Sequence, residues 1–206
     1  GSFDENRLVE LLERYFGFWL CADDGPNSFP EAVFKPDITI KSKKTEQAHI
    51  CIGFEGVPNG DDILYPLLAV NNILGGGMSS RLFQNIREKR GLAYSIYSYP
   101  TTYNNAGLLT IYAGMKPSLL VEVTKLIYEE VMQLINKGIS FEELNKSKEQ
   151  LKGSYILGLE STSSRMSSIG KSELLLGYIN SQEEILEKIQ SITMDDINRV
   201  IRKVFN

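Results

Sequence analysis

The spacing of apolar residues along this chain changes from a helical period to strict alternation and back again. Apolar residues alternate with polar or small ones from Ala48 to Phe54, and the stretches 92–99 and 108–113 alternate in the same way. Between the last two stretches, Asn104–Gly107 is typical of a hairpin turn. Because the strand patterns lie in adjacent groups and the rest is helical, we predict an α+β fold: an antiparallel or mixed sheet covered by helices on one face.

A helix with an apolar stripe is predicted near the start of the chain. The stripe consists of Leu8, Leu11, Leu12, Tyr15, Phe16 and Trp19. The turn-forming residues of Asp23–Ser28, with prolines at 30 and 36 beyond them, predict a linker after this helix. A short strand is expected at Ile38–Ile40, ahead of the longer one that starts at Ala48.

Capping residues and glycines mark the boundaries of the later helices. A helix from about Ser79 to Arg90 is predicted to end at Gly91, where a glycine commonly follows a helix. A long helix is predicted from Lys116 to Gly138. The last third is predicted to be helical, with capping boxes that pair Ser140 with Glu143 and Ser181 with Glu184, and with a looser version that pairs Thr193 with Asp196.

The charge balance argues against a nucleic-acid partner. With 22 basic and 26 acidic residues the net charge is −4, which is poorly suited to neutralising phosphates. No apolar run approaches the roughly 18–20 residues that a membrane span requires, so no membrane partner is expected. Cys21 and Cys51 occur in no metal or redox spacing and are expected to be thiols in a reducing compartment. No targeting segment is recognised, and we expect a cytoplasmic location.

His49 is the only histidine in the chain. Zinc sites of the H-E-x-x-H and H-x-x-E-H types each need two histidines on one helix, so this chain cannot build them. Cys51 lies two residues further along the same predicted strand face, which makes a His–Cys metal pair sterically possible. No third ligand is suggested by spacing, and a structural role for His49 is favoured. We therefore expect no metal site and no cofactor in this chain.

The run Gly75, Gly76 and Gly77 admits two interpretations. Glycine-rich turns before a helix can hold a phosphate on free backbone N–H groups. This run, however, lacks the Lys-Ser/Thr of a P-loop and the third glycine of G-x-G-x-x-G, and it follows a helix rather than a strand. We therefore favour a structural or hinge role, with the glycines allowing left-handed or closely packed backbone between two helices.

Arg87 and Tyr94 are the residues best placed for contact with a substrate. Arg87 lies in the last turn of its predicted helix, and Tyr94 stands three residues past Gly91 at the start of a strand. Both side chains are long enough to converge over the Gly91 turn, where they would offer a guanidinium and a phenol to a peptide carbonyl or a developing oxyanion. Spacing alone leaves a purely structural placement open, since arginines near helix ends and tyrosines in strands are common.

The stretch from Leu74 to Ser98, together with Gln47–Gly56, Tyr103–Leu109 and Tyr112–Gly114, resembles the C-terminal domain of the pitrilysin, insulinase and mitochondrial processing peptidase family. The resemblance covers most of the chain from about Asp37. It implies an inverted-zincin metallopeptidase built from homologous α/β domains that close like a clam-shell around an unfolded peptide. One half carries H-x-x-E-H and zinc. The other half, which this chain resembles, often supplies an arginine and a tyrosine seven residues apart that contact the substrate.

The resemblance assigns substrate binding to Arg87 and Tyr94. It also implies that residues 1–36 are the end of a preceding half plus a linker, with residues 1–2 a cloning remnant, and that residues 37–206 are the C-terminal domain. The expected partners are the zinc-binding N-terminal half and a peptide substrate, with a homodimer also possible. Catalytic residues and zinc are expected in that other half, and the chain alone should be inactive. Alternatives are a non-catalytic peptide-binding or assembly subunit of the family, and, more weakly, a phosphate-binding domain built on the glycine run.

Overall fold

Three β-strands and seven α-helices make up the part of the chain that the computed structural model describes, residues 2–19 and 32–205. In chain order they are α1 Glu5–Phe16, β1 Ala48–Glu55, α2 Leu64–Leu74, β2 Ser95–Thr102, β3 Gly107–Met115, α3 Leu120–Lys137, α4 Phe141–Gly158, α5 Thr162–Leu176, α6 Gln182–Gln190 and α7 Met194–Val204. A π-helical segment, Phe83–Glu88, lies between α2 and β2, and a 3-10 turn, Pro117–Leu119, leads into α3. The predicted α+β class is confirmed.

The three strands form one antiparallel sheet in the order β1-β3-β2. Alternation makes one side of each strand apolar, and on β3 the inward residues Leu109, Ile111 and Ala113 are fully buried. β2 and β3 are joined by the predicted hairpin, although β2 begins at Ser95 rather than Leu92. The predicted strand at Ile38–Ile40 is wrong: the segment joins no strand within residues 32–205, and its two isoleucines are 86% and 87% exposed. With no strand paired to it, local β-propensity alone does not form a strand.

The core lies on the inward side of the sheet, and α2 runs through it. This helix packs against β2, α4 and α7, and Leu67, Val70 and Leu74 are fully buried. α3 adds Val123 and Leu134, both also fully buried. Removing one such leucine side chain would cost about 2–5 kcal/mol of folding free energy, because a cavity would remain. The other face of the sheet carries the exposed residues of the strands.

The helix starts follow the predicted capping pattern. Capping boxes are present at Ser140 with Glu143, Ser181 with Glu184, and Thr193 with Asp196. In each box a backbone N–H at the helix start donates to the capping hydroxyl, and the acidic residue accepts from the backbone N–H of the capping residue. α5 differs from the other α-helices between residues 32 and 205 because it buries none of its residues.

The chain divides into two units, Gly1–Glu31 and Ala32–Asn206. In the first unit, Asp4 caps the start of α1, because its carboxylate accepts from the Arg7 N–H at 3.0 Å. The predicted helix is therefore confirmed. Its apolar stripe stays between 37% and 75% exposed. The predicted linker Asp23–Ser28 lies outside the described residues.

No helix in the described ranges combines the length and apolarity needed to cross a bilayer.

Candidate functional site

The segment that carries Arg87 is a π-helix rather than the α-helix predicted from sequence. Its wider turn shows in the Lys89 N–H, which donates to the Gln84 carbonyl, five residues back, at 3.0 Å. Leu82 and Ile86, four residues apart, are both fully buried, so one side of the segment is fixed in the core. Arg87 lies on the exposed side. π-Helical turns are frequent at functional sites, which makes this segment a candidate.

The turn after the π-helix depends on Gly91. Its φ is +65°, in the left-handed region, and its N–H donates to the Arg87 carbonyl at 2.9 Å. The Leu92 N–H reaches back to the Ile86 carbonyl at 3.1 Å, which closes the helix end as in a Schellman motif. The predicted role of Gly91 as the terminating glycine is confirmed. The turn carries the chain from Arg87 to Tyr94.

Arg87 is held by an aromatic ring. Its guanidinium carbon lies 4.9 Å from the centroid of the Phe83 ring, one turn earlier on the same segment. A cation over a ring at this distance is attracted by the ring's negative face, which restricts the orientation of the guanidinium without neutralising it. The guanidinium N–H groups keep their capacity to donate to a carbonyl or a carboxylate.

Tyr94 is anchored through its backbone and is exposed through its side chain. Its N–H donates to the Gly114 carbonyl at 2.8 Å, and its side chain is 50% exposed. The structure thus places both predicted residues at the surface on either side of the Gly91 turn. Among the described contacts no hydrogen bond links the Arg87 and Tyr94 side chains, so each is presented separately.

Arg81 fixes the start of the π-helical segment to α4. Its Nε donates to Glu143 Oε1 at 2.7 Å, and its Nη2 donates to Glu143 Oε2 at 2.8 Å and to the Gly138 carbonyl at 3.0 Å. The Arg81 hydrogen bond is the main cause that lowers the pKa of Glu143, while partial burial opposes it. Glu143 also serves in the capping box with Ser140. The capping role of Glu143 is predicted by the sequence, whereas its ion pair with Arg81 is not.

A second contact ties the middle of the segment to α3. Asn85 donates from its amide nitrogen to Glu130 Oε1 at 2.6 Å, and Glu130 is only 7% exposed. A buried carboxylate needs such a donor because it has left water. The only sequence signal for the burial of Glu130 was its position, which lies at helical spacing among the apolar residues of the predicted helix. Together, the contacts of Arg81 and Asn85 attach the exposed Arg87 to a rigid support.

The glycine run packs closely against β2. A Cβ on Gly75 would lie 2.5 Å from the Ser98 backbone nitrogen, and the Ser98 N–H donates to the Gly75 carbonyl at 3.0 Å. A Cβ on Gly76 would lie 2.7 Å from the Asn72 Cα. Gly77 sits beside the Gln150 side chain. The glycines with positive φ lie elsewhere in the chain, so Gly75–Gly77 serve close packing in this structure, and their hinge role stays a prediction.

His49 pairs with an aromatic residue. Its Nδ1 lies 2.8 Å from the Tyr112 hydroxyl, and the two rings are stacked with centroids 6.0 Å apart. Cys51 is exposed on the same face of β1, as the strand pattern predicts. Residues 2–19 and 32–205 contain no group of three or more histidine, cysteine or acidic side chains that could hold a metal ion. His49 and Cys51 on this face are two possible ligands, fewer than a zinc site requires.

Comparison with known proteins relates most of this chain to one group. A family model described as the peptidase M16 inactive domain matches residues 1–151. The chain is 42% identical over 198 residues to the uncharacterized zinc protease YmxG of Bacillus subtilis, which covers 96% of this chain and 48% of that protein. It is 43% identical over 212 residues to the uncharacterized zinc protease SCO5738 of Streptomyces coelicolor, and the alignment covers 99% of this chain and 46% of that protein. The chain thus spans about half the length of the curated relatives it matches.

Solved structures share the fold. A conserved protein from Enterococcus faecalis aligns with a TM-score of 0.80 at 24% identity, over 99% of this chain and 48% of the other. A protease from Helicobacter pylori aligns with a TM-score of 0.78 at 20% identity, over 100% and 51%. A peptidase M16 inactive domain from Pseudomonas fluorescens aligns with a TM-score of 0.71 at 24% identity, over 79% and 38%. At these identities the likeness concerns the fold alone.

Proposed function

Because this chain belongs to the family of peptidase M16 inactive domains, we propose that it is the non-zinc half of a zinc metalloendopeptidase and holds the peptide substrate. In this proposal Arg87 and Tyr94 contact the peptide, and an H-x-x-E-H half hydrolyses it. The relatives that the chain matches over about half their length are named zinc proteases, which supports a partner half of similar size.

The observation that carries the proposal is the presentation of Arg87. Its guanidinium lies over the Phe83 ring at 4.9 Å, on the exposed side of a π-helical turn that is fixed on its other side in the core. A donor held in this way loses little conformational entropy on binding, so its hydrogen bonds to a peptide carbonyl are more favourable. Tyr94 supplies a hydroxyl donor across the Gly91 turn.

No zinc-dependent step is assigned to this chain. The described residues offer His49 and Cys51 as neighbouring donors on one strand face, without the further ligands that a zinc site requires. The role that we propose for this half is to bind and orient the peptide backbone. A cytoplasmic location forms part of the proposal. It agrees with the exposed free thiol of Cys51, because thiols stay reduced in that compartment.

The test is hydrolysis of an internally quenched peptide by this chain co-expressed with the H-x-x-E-H half from its own genome. Arg87→Ala is expected to lower kcat/KM by about tenfold or more, because a positioned charged donor is lost, and Tyr94→Phe to lower it by a similar or smaller factor. Arg87→Lys should restore only part of the loss, since a lysine cannot donate in the same planar fork.

Two matched variants control for the loss of an exposed arginine and of an exposed tyrosine hydroxyl. Arg90 is exposed three residues beyond Arg87, and Tyr103 is 56% exposed in the hairpin turn. Arg90→Ala and Tyr103→Phe should leave kcat/KM within about twofold of the wild type. Unchanged turnover in both Arg87→Ala and Tyr94→Phe, with the two halves associated, would show that these residues do not hold the substrate.

A second candidate, a non-catalytic assembly subunit, is favoured by one observation. α5 buries none of its residues, and its side chains Met166 and Leu174 are 68% and 84% exposed. Exposed apolar side chains of this size mark interaction surfaces when they cluster. If this candidate holds, the assembled protein should bind peptides without cleaving them, and Leu174→Glu should weaken assembly with the partner chain or a second copy.

A further inference from the structure

A cavity of about 420 Å³ lies between the start of α2, the end of α5 and the helices α6 and α7. The loop before α2 approaches the end of α5 closely, since a Cβ on Gly60 would lie 3.2 Å from the Leu176 Cδ2. Binding sites for small molecules commonly have volumes of about 300–1,000 Å³. The cavity is therefore large enough to hold a small organic molecule.

The cavity lies at the opposite end of β1 from the residue proposed to hold the peptide. The Tyr94 N–H donates to the Gly114 carbonyl, and Gly114 pairs with His49 near the start of β1. Gly60, which lines the cavity, follows the other end of this strand at Glu55. The eight residues of β1 span about 25 Å at roughly 3.3 Å per residue. A molecule in the cavity would therefore occupy a different site from the peptide.

Part of the cavity wall is apolar and aromatic. Ile192 is buried, and Leu64, Tyr65 and Leu176 are partly buried. Tyr178 also lines the cavity and is 49% exposed. Burial of an apolar surface against such a wall removes both surfaces from water, and aromatic rings gain further from contact with each other. The wall therefore favours a ligand with an aromatic body.

The acidic side chains that line the cavity are paired with basic ones. Asp62 accepts a hydrogen bond from Arg199 at 2.9 Å, and Asp61 accepts one from Lys203 at 3.1 Å. The Arg199 hydrogen bond lowers the pKa of Asp62, which keeps this carboxylate ionised in the pair. Asp196 lies 3.8 Å from Arg199. These pairs leave little free negative charge with which the cavity could attract a cation.

Lys188 is a cation of the cavity that has no acidic partner among the described residues. Its Nζ donates to the Asn180 Oδ1 at 2.6 Å and lies 5.9 Å from the centroid of the Tyr65 ring. Glu184, one turn earlier on α6, accepts instead from the Ser181 N–H at 2.6 Å. An ammonium group carries several N–H donors, so Lys188 keeps donors for an anion beside the aromatic wall.

Tyr65 brings a neutral donor close to Lys188. Burial raises the pKa of its hydroxyl, and the neighbouring phenols of Tyr155 and Tyr178 raise it further. The hydroxyl therefore stays protonated at neutral pH and can donate to an anion. The same residue supplies a ring for an apolar body and a hydroxyl for a polar end.

We propose that this cavity binds a small aromatic carboxylate, with its ring against Tyr65 and Ile192 and its carboxylate on the Lys188 ammonium. A hydrogen bond between an ammonium and a carboxylate is stronger than one between neutral groups, so an acid is preferred to the corresponding alcohol. An aromatic amine is rejected because Lys188 repels a second cation. The site is additional to the peptide-holding role and independent of it.

The test compares 3-phenylpropionate, 3-phenylpropan-1-ol and 3-phenylpropylamine, which share a ring and a chain length and differ in the polar end. NMR titration of the isotope-labelled chain at constant ionic strength follows each probe. The acid should shift the amide signals of Tyr65, Lys188 and Ile192 and bind with a Kd of about 1 mM, as expected for so small a ligand. The alcohol should bind about tenfold more weakly, and the amine more weakly still.

Two variants assign the contacts. Lys188→Gln should bind the acid and the alcohol with affinities within about twofold of each other, because the ammonium is lost. Lys125→Gln, on α3 and outside the cavity, is the matched control and should keep the preference of about tenfold. Leu176→Trp should fill the cavity and weaken the acid and the alcohol alike. Its Tm should match the wild type, because α5 buries none of its residues.

The outcomes separate this site from the peptide-holding role. Arg87→Ala should bind 3-phenylpropionate as the wild type does, whatever its effect on peptide hydrolysis. Equal affinities of the wild type for the acid and the alcohol would overturn the proposed site, as would an equal loss of the preference in Lys188→Gln and Lys125→Gln. Signal shifts confined to residues outside the cavity, or an acid titration that shows no saturation, would overturn it as well.

Discussion

Replacement of Arg81 with alanine tests how the π-helical segment is held. The change removes three hydrogen bonds: two to the Glu143 carboxylate and one to the Gly138 carbonyl. Hydrogen bonds to charged groups contribute about 1.5–3 kcal/mol each when well buried, and much less when exposed. The Arg81 and Glu143 side chains are 20% and 32% exposed, so we expect a loss of about 2 kcal/mol in the free energy of unfolding, or about 4–8 °C in Tm.

The pH dependence of this loss gives a second readout. The Arg81 hydrogen bond lowers the pKa of Glu143 in the folded protein. A carboxyl whose pKa is lowered by folding stabilises the fold above its unfolded pKa, about 4.3, and this contribution disappears as the pH falls through the folded pKa. The difference between wild type and Arg81→Ala should therefore be full at pH 7 and should shrink as the pH falls below about 4.

Urea denaturation at a series of pH values measures both effects. Lys125→Ala is the control, because its ion pair with Glu129 is 3.8 Å long and largely exposed, and it should change the unfolding free energy by less than about 0.5 kcal/mol. Arg81→Lys should recover part of the loss. A difference below about 0.5 kcal/mol for Arg81→Ala at pH 7, or one that grows in acid, would refute this account of the ion pair.

Two further predictions concern packing around the same segment. Gly75→Ala should destabilise the chain by about 1–3 kcal/mol, because the new methyl group would meet the β2 backbone at 2.5 Å. The control, Gly170→Ala on α5, should be neutral or slightly stabilising, since nothing lies within 4 Å of a Cβ there. Thermal unfolding compares the two variants, and equal Tm values would contradict the packing argument. Asn85→Ala should lower the free energy of unfolding by about 1–3 kcal/mol, because buried Glu130 loses its hydrogen-bond donor. Asn85→Asp should lower it further in urea denaturation, since it places two carboxylates together. A milder effect for Asn85→Asp than for Asn85→Ala would argue against this hydrogen bond.

Local patterns in the sequence predicted much of the fold. Alternation predicted β1 and the β2–β3 hairpin, because one buried face imposes a period of two. The capping boxes at Ser140, Ser181 and Thr193 were predictable because all their hydrogen bonds join residues three apart. Gly91 was predictable for a similar reason, since the left-handed position after a helix favours glycine strongly. These features share a dependence on short-range geometry.

Features that depend on distant residues were not predictable in this way. Arg81 and Glu143 are 62 positions apart, and nothing in the spacing of either residue indicates the other. The hydrogen bond between His49 and Tyr112 likewise joins two strands whose register is known only from the fold. The π-helical turn at Phe83–Glu88 has the same apolar spacing as an α-helix over so short a length, so the sequence predicted the commoner form. Ile38–Ile40 shows the converse error, in which strand propensity exists without a paired strand.

The placement of Arg87 depends both on local backbone geometry and on contacts with residues that are distant in sequence. The residue is on a short segment whose backbone departs from the α-helix, a departure that local propensity does not favour and that surrounding contacts must stabilise. Those contacts come from α3 through Glu130 and from α4 through Glu143, while the buried Leu82 and Ile86 attach the segment to the core. A substitution at Arg81 or Asn85 should therefore affect peptide binding through Arg87 without touching the peptide. Such an effect would couple to Arg87→Ala in a double-mutant cycle, whereas a loss of stability alone would be additive.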